Sequence, residues 1–172
     1  MTSHGKEQLI EILEIADVNL LMSIKNLEKE EVTKQIQSGT NSIKKIFGHC
    51  ARQMDKYLAK ATKKRMIESE ETFGRYVELY LKISDEFFDL IKKTPEEDFI
   101  KPIDKGEKLG TIIQRIALHY MGHLGQIYFI RRSLGREIAG SYSFVLALSE
   151  SSRRKLKKEW LTWWEENKAS YY

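Results

Sequence analysis

Apolar residues return every three or four positions through four long stretches of this chain, and only two prolines, Pro95 and Pro102, interrupt it. That period is helical, because side chains three and four apart share a helix face. Four such stripes must bury themselves against one another. The pattern predicts an all-α fold, a four-helix bundle with an extra C-terminal helix. The first helix runs from a cap at Thr2 or Ser3 to about Leu27, with Leu9, Ile12, Leu13, Ala16, Leu20, Ile24 and Leu27 as its stripe. A polar break follows over 29–39. Asn41 then caps a second helix whose inner side is Ile43, Ile46, Phe47, Cys50, Met54, Tyr57 and Ala61.

The third helix starts near Ser69, with Glu70 and Glu71 in the turn where the helix dipole favours acids. Phe73, Val77, Tyr80 or Leu81, Ser84, Phe87 or Phe88 and Ile91 form its inner face, and Thr94-Pro95 stops it. After a short helical turn at TPEED and an extended FIKPI, Gly106 turns the chain into the fourth helix, 109–134, closed by Gly135. The links after the first helix and between the third and fourth are long enough for a crossover. The stretch 136–148 reads as a loop that packs its apolar residues inward. Ser149 or Ser151 caps a last helix whose Leu156, Trp160, Trp163 and Trp164 face the core or a partner chain.

The 172 residues suffice for one domain with a sizeable core, and no Ser/Gly-rich linker divides them, so 1–172 is expected to be a single domain. No apolar run approaches the roughly 20 residues that span a bilayer. The first residues lack the apolar core of a signal peptide, and the lone Cys50 cannot form an internal disulfide. These features predict a cytoplasmic protein with no membrane partner. The net charge of +4 permits an anionic ligand or a nucleic acid and demands neither. KATKKR at 60–65 lacks interleaved aromatics and reads as a solvated connection. The cluster Arg153, Arg154, Lys155, Lys157 and Lys158 reads as the solvated side of a packed tryptophan anchor, with nucleic-acid binding as the lesser alternative.

The chemistry-bearing signal is in the histidines. His119 and His123 fall in the stripe of 109–134, with Ile112, Ile116, Tyr120, Ile127 and Ile130. Four apart, their imidazoles lie one above the other and can share a ligand. Burying two titratable rings costs free energy unless something compensates. A divalent metal does so by taking neutral imidazole nitrogens. The alternative is a pair of core histidines bonded to backbone or water. His49 lies just beyond the edge of the second stripe, beside Gln53, placed either to reach a neighbouring helix or simply exposed. Gly48 costs about 1 kcal/mol of helix propensity and permits a close helix approach. His4 sits in a terminus expected to fray.

Three imidazoles on one ion leave coordination positions for water or substrate, as in catalytic sites. No cysteine pair supports a structural zinc site. HYMGH lacks the glutamate of HExxH, and no Glu-x-x-His pair of the di-iron type is present, so a shared site would be mononuclear.

NSIKKIFGHCARQMDKYL followed by LGTIIQRIALHYMGHLGQIYFIRRSLG resembles the DinB/YfiT-like superfamily, over about 9–135. That family carries a lone GH on its second helix and HxxxH followed by GQ on a later one. The resemblance implies an up-down-down-up four-helix bundle, a homodimer, and one divalent metal, nickel or zinc, held by His49, His119 and His123. It implies an enzyme acting on a small-molecule substrate, namely a transferase that uses a low-molecular-weight thiol. Gln126 and Gln53 are placed to orient a ligand or a metal-bound water. Tyr57 and Tyr120 either wall the pocket or belong to the core, and Cys50 reads as a small buried hydrophobe. Asn41-Ser42 stands where a tryptophan is common in the family, and Leu124 where an arginine is. The alternatives are a metal-dependent hydrolase, and a non-catalytic metal-binding or stress-linked interaction protein.

Overall fold

The computed structural model describes residues 3–104, 106–137 and 149–172. The helices are α1 (Ser3–Ser23), α2 (Lys29–Thr33), α3 (Ile43–Thr62), α4 (Phe73–Lys93), α5 (Leu109–Ser133) and α6 (Glu150–Asn167). A short antiparallel hairpin of β1 (Pro102–Asp104) and β2 (Glu107–Lys108) leads into α5, and 3₁₀ turns follow α4 and α6. The side chain of His4 and the stretch 138–148 lie outside the described residues, and with them the expectations of a frayed His4 and of an inward-packed loop.

Helix ends follow the local chemistry, with four shifts from the sequence reading. α1 stops at Ser23 rather than near Leu27, since Asn26 takes a left-handed φ of 61° that a helix cannot contain. Arg131 of α5 caps that end, donating to the carbonyls of Ser23 (3.2 Å) and Lys25 (2.8 Å). The polar break contains α2, held by a Glu28–Glu31 capping box and the buried Val32. Ser42 rather than Asn41 caps α3, its hydroxyl accepting from the Lys45 N–H at 3.3 Å. Thr72 rather than Ser69 caps α4, accepting from the Arg75 N–H at 3.2 Å, which leaves Glu70 and Glu71 before the helix.

The later start of α4 has a cause in α3. Asp55, fully buried, accepts from the N–H groups of Met66 (3.0 Å) and Ile67 (3.2 Å) and from Arg65 Nε (2.7 Å). The connection 63–72 is thereby tied back along α3 and cannot join α4 early. α5 ends as expected at Gly135, which takes φ 71°. Its N–H bonds the Arg132 carbonyl and that of Arg136 bonds the Arg131 carbonyl, a Schellman closure.

The four long helices close on one another. α1 packs on α5 and α4, and α3 packs on α4 and α5. The predicted stripes fill the core, apart from Ile12, 48% exposed, Ala61, also exposed, and the half-buried His119 and His123. α6 lies against α1 through buried Leu156, Trp160 and Trp164, with Trp163 half-buried. Its basic half is partly neutralised within the fold. Arg153 is buried between Glu11 (3.1 Å) and Glu14 (3.2 Å), and Lys157 reaches Asp17 (3.6 Å) and Asp85 (3.5 Å). Asp17 is itself buried and accepts from Tyr80 Oη (2.6 Å) and Ser84 Oγ (3.0 Å), which stitches α1 to α4. Among the described residues no helix is long and apolar enough to cross a membrane.

Candidate metal centre

The close approach of α3 to α4 is set by Gly48. A Cβ there would stand 2.7 Å from Cε2 of Tyr76, so no larger residue fits without displacing that buried ring. Arg52, one turn after Gly48, donates to the Tyr76 hydroxyl and lies over its ring at 5.3 Å. These contacts hold the first half of α3 in place and with it His49.

His119 and His123, on successive turns of α5, meet His49 across the helix pair. Ring centroids are 4.8 Å apart for His49–His119, 5.0 Å for His49–His123 and 4.5 Å for His119–His123. One nitrogen from each ring lies within 4.8 Å of the other two. The buried face of α5 is Ile112, Ile116, Tyr120, Leu124, Ile127 and Ile130, and both histidines sit half-buried at its margin rather than within it. This position gives the rings a protein wall on one side and leaves access from the other.

The donor chemistry fits a divalent ion. Burial, then the neighbouring charge of His123 and of His49, pushes His119 down to about 4. Burial, then His123 and Arg52, lowers His49 as well. Neutral imidazoles are the metal-binding form. His119 Nε2 is buried and has no hydrogen-bond partner among the described residues, a cost that a metal bond would remove. His123 Nδ1–H donates to Gln126 Oε1 at 2.8 Å. That bond assigns the tautomer and leaves Nε2 with its lone pair free. Metal–nitrogen bonds are about 2.0–2.1 Å, which sets tetrahedral nitrogens about 3.4 Å apart, so nitrogens now within 4.8 Å of one another would draw in around an ion.

The other residues expected at the site divide. Gln126 does orient a ring. Gln53 is half-buried on α3 and has no hydrogen bond to the three rings among the described residues. Tyr120 is core, its hydroxyl donating to the Cys50 carbonyl at 3.2 Å. Tyr57 accepts from Arg115 Nη1 at 3.1 Å, two turns along α3 from His49, and does not wall the triad. Cys50 is buried and its thiol is pushed well above the usual range by burial, so it is not a nucleophile. His49 lines a cavity of about 500 Å³ together with Lys45, Arg52, Glu68 and Glu70. The carboxylates there come from the 63–72 connection, and no spacing in the sequence pointed to them.

A sequence model of the DinB superfamily matches residues 12–127, which include all three histidines. The chain belongs to the DinB superfamily. No curated protein and no solved structure matches it. α6, with its three tryptophans, lies beyond the part shared with this DinB-superfamily model.

Proposed function

We propose that this DinB-superfamily chain is a metal-dependent enzyme in which His49, His119 and His123 hold one divalent ion, nickel or zinc. Its reaction in this reading is transfer of a low-molecular-weight thiol to an electrophilic small molecule. The observation that carries it is the convergence of three imidazoles from α3 and α5, one with an orphaned Nε2. When bound, the ion supplies Lewis acidity that lowers the pKa of a thiol and holds the thiolate. The chain's one thiol is sealed in the core, so the nucleophilic sulfur comes from a co-substrate. The thiol proton passes to solvent, a sulfur–carbon bond forms and the bond from carbon to its leaving group breaks. Gln126 keeps His123 oriented throughout, and Arg52 places positive charge beside His49.

The helix directions we propose are up-down-down-up for α1, α3, α4 and α5, with α6 added to a single domain. Gly48 against Tyr76 supports parallel α3 and α4, since both residues are near the starts of their helices. The triad supports antiparallel α3 and α5, and Lys6 Nζ on the Thr94 carbonyl (2.6 Å) supports antiparallel α1 and α4. A homodimer in the cytoplasm completes the reading, with Leu118 (71% exposed) and Phe129 (65% exposed) of α5 as apolar side chains available to a second copy. The ion pairs of Arg153 and Lys157 count against a nucleic-acid face on α6.

Metal-assisted hydrolysis is the second reading, and Glu68 and Glu70, which line one cavity with His49, favour it as candidate carboxylate bases. Two assays separate these readings. Consumption of a small thiol with an aryl halide, abolished in His123→Ala, supports transfer. Ester turnover without thiol, abolished in His123→Ala and lowered in Glu68→Gln, supports hydrolysis. Metal retention with neither activity would leave the protein a non-catalytic metal binder.

A further inference from the structure

Beyond the triad, toward the end of α3 and the start of α5, lies a second group of charged residues. A cavity of about 640 Å³ there is lined by Lys56, Lys60, Glu107, Lys108, Thr111 and Arg115. Four cations thus face one carboxylate. Glu107 is mostly buried and holds two of the four, bonding Arg115 and lying 3.8 Å from Lys60. Arg115 is fixed a second time by its bond to Tyr57 Oη. Lys56 and Lys108 have no ion-pair partner among the described residues. Crowding like charges around a cavity is unfavourable unless an anion enters it. The cavity also borders the first turn of α5, whose N-cap Lys108 makes no side-chain capping bond, and helix starts favour negative charge.

The position relative to the triad gives this excess of charge a role. Arg115 precedes His119 by four residues and Lys56 follows His49 by seven, so these two cations lie one to two helical turns, roughly 6–10 Å, from the imidazoles, and Lys60 and Lys108 about 16 Å along the same helices. We propose that this cavity is an oxyanion subsite that takes the carboxylate or phosphate end of the small molecule on which the triad acts. The assignment of the other end rests on the metal-dependent reading above; the binding of the anion does not. Lys56 and Lys108 supply the free charge. Glu107 braces Lys60 and Arg115, and Gln53 lies on α3 between the subsite and His49.

The test uses the full chain, with Lys56→Gln/Lys108→Gln as the variant because it leaves the Glu107 brace and the histidines intact. On chelated protein, inorganic phosphate and succinate are titrated calorimetrically against sodium chloride of matched ionic strength. Both should bind saturably to the wild type and about ten-fold more weakly to the variant, the worth of two partly exposed ion pairs. If phosphate alone binds, the subsite takes phosphate esters; if succinate alone, carboxylic acids. On cobalt-loaded protein, ω-mercaptohexanoate should bind more tightly than ω-mercaptohexanol, and the variant should lose that preference while binding the alcohol unchanged. Anion binding no better than chloride, or equal in wild type and variant, overturns the subsite. Anion binding without any change in the cobalt spectrum on adding either thiol leaves the cavity as an anion site and removes its link to thiol chemistry. Failure of the metal reading is therefore distinguishable from failure of the subsite.

Discussion

At the residue scale, the triad depends on the side chains that aim its imidazoles. Gln126 acts on His123 through one hydrogen bond. Partners of this kind contribute about 10–100-fold to metal affinity. Gln126→Ala is expected to lower zinc affinity by that order in a chelator competition while leaving the fold unchanged; an unaltered affinity would show that the bond does not orient the ring. The proton linkage of the metal-free site has a definite sign. A free histidine titrates near 6.5, whereas the folded state holds His119 at about 4 through burial and then its two neighbours. As pH falls, the unfolded chain takes up this proton first, so stability drops between pH 6.5 and about 4 and this contribution levels off below. Urea midpoints of the chelated protein across that window should fall more steeply for the wild type than for His119→Ala. Equal slopes would contradict the burial assigned to the ring.

At the element scale, most of what positions the site was legible in the sequence, and the exceptions have physical causes. The stripes of α3, α4 and α5 were readable because burial on one helix face leaves a period. Gly48 was readable only as a costly helix-interior glycine that would permit a close approach, and the Tyr76 ring 2.7 Å from a Cβ there is what shows one. The convergence of His49 with His119 and His123 rested on the motif resemblance, since a lone histidine at a stripe's edge is equally well exposed. The caps of α3 and α4 were misplaced because Asn41, Ser42, Ser69 and Thr72 are all good capping residues. Only a long-range constraint chooses among them. Asp55 is such a constraint for α4, and nothing in its neighbourhood marks it as other than a surface acid. It accepts two backbone N–H groups and one guanidinium while fully buried. Asp55→Ala should cost about 2–4 kcal/mol in a denaturant titration, since it orphans buried donors. A loss below about 0.5 kcal/mol would mean that the 63–72 connection is not held in this way.

At the scale of the whole molecule, the packing of α1, α3, α4 and α5 brings together histidines that are distant along the chain, and α6 closes the outer side of α1. A basic, tryptophan-rich helix left nucleic-acid binding open as the lesser alternative to a packed anchor. Its largest aromatics are instead core, and two of its cations are paired with α1 and α4. The cationic cavity at the head of α5 was invisible in the sequence because its residues come from α3, the β1–β2 hairpin and α5. The account as a whole turns on whether α3 and α5 share an ion. Metal analysis of the purified wild type beside His49→Ala, His119→Ala, His123→Ala and the double His119→Ala/His123→Ala variant tests this most directly. About one divalent ion per chain is expected in the wild type, with affinity sharply reduced in each single variant and no bound ion in the double. A stoichiometric ion that survives loss of both His119 and His123 would contradict the account.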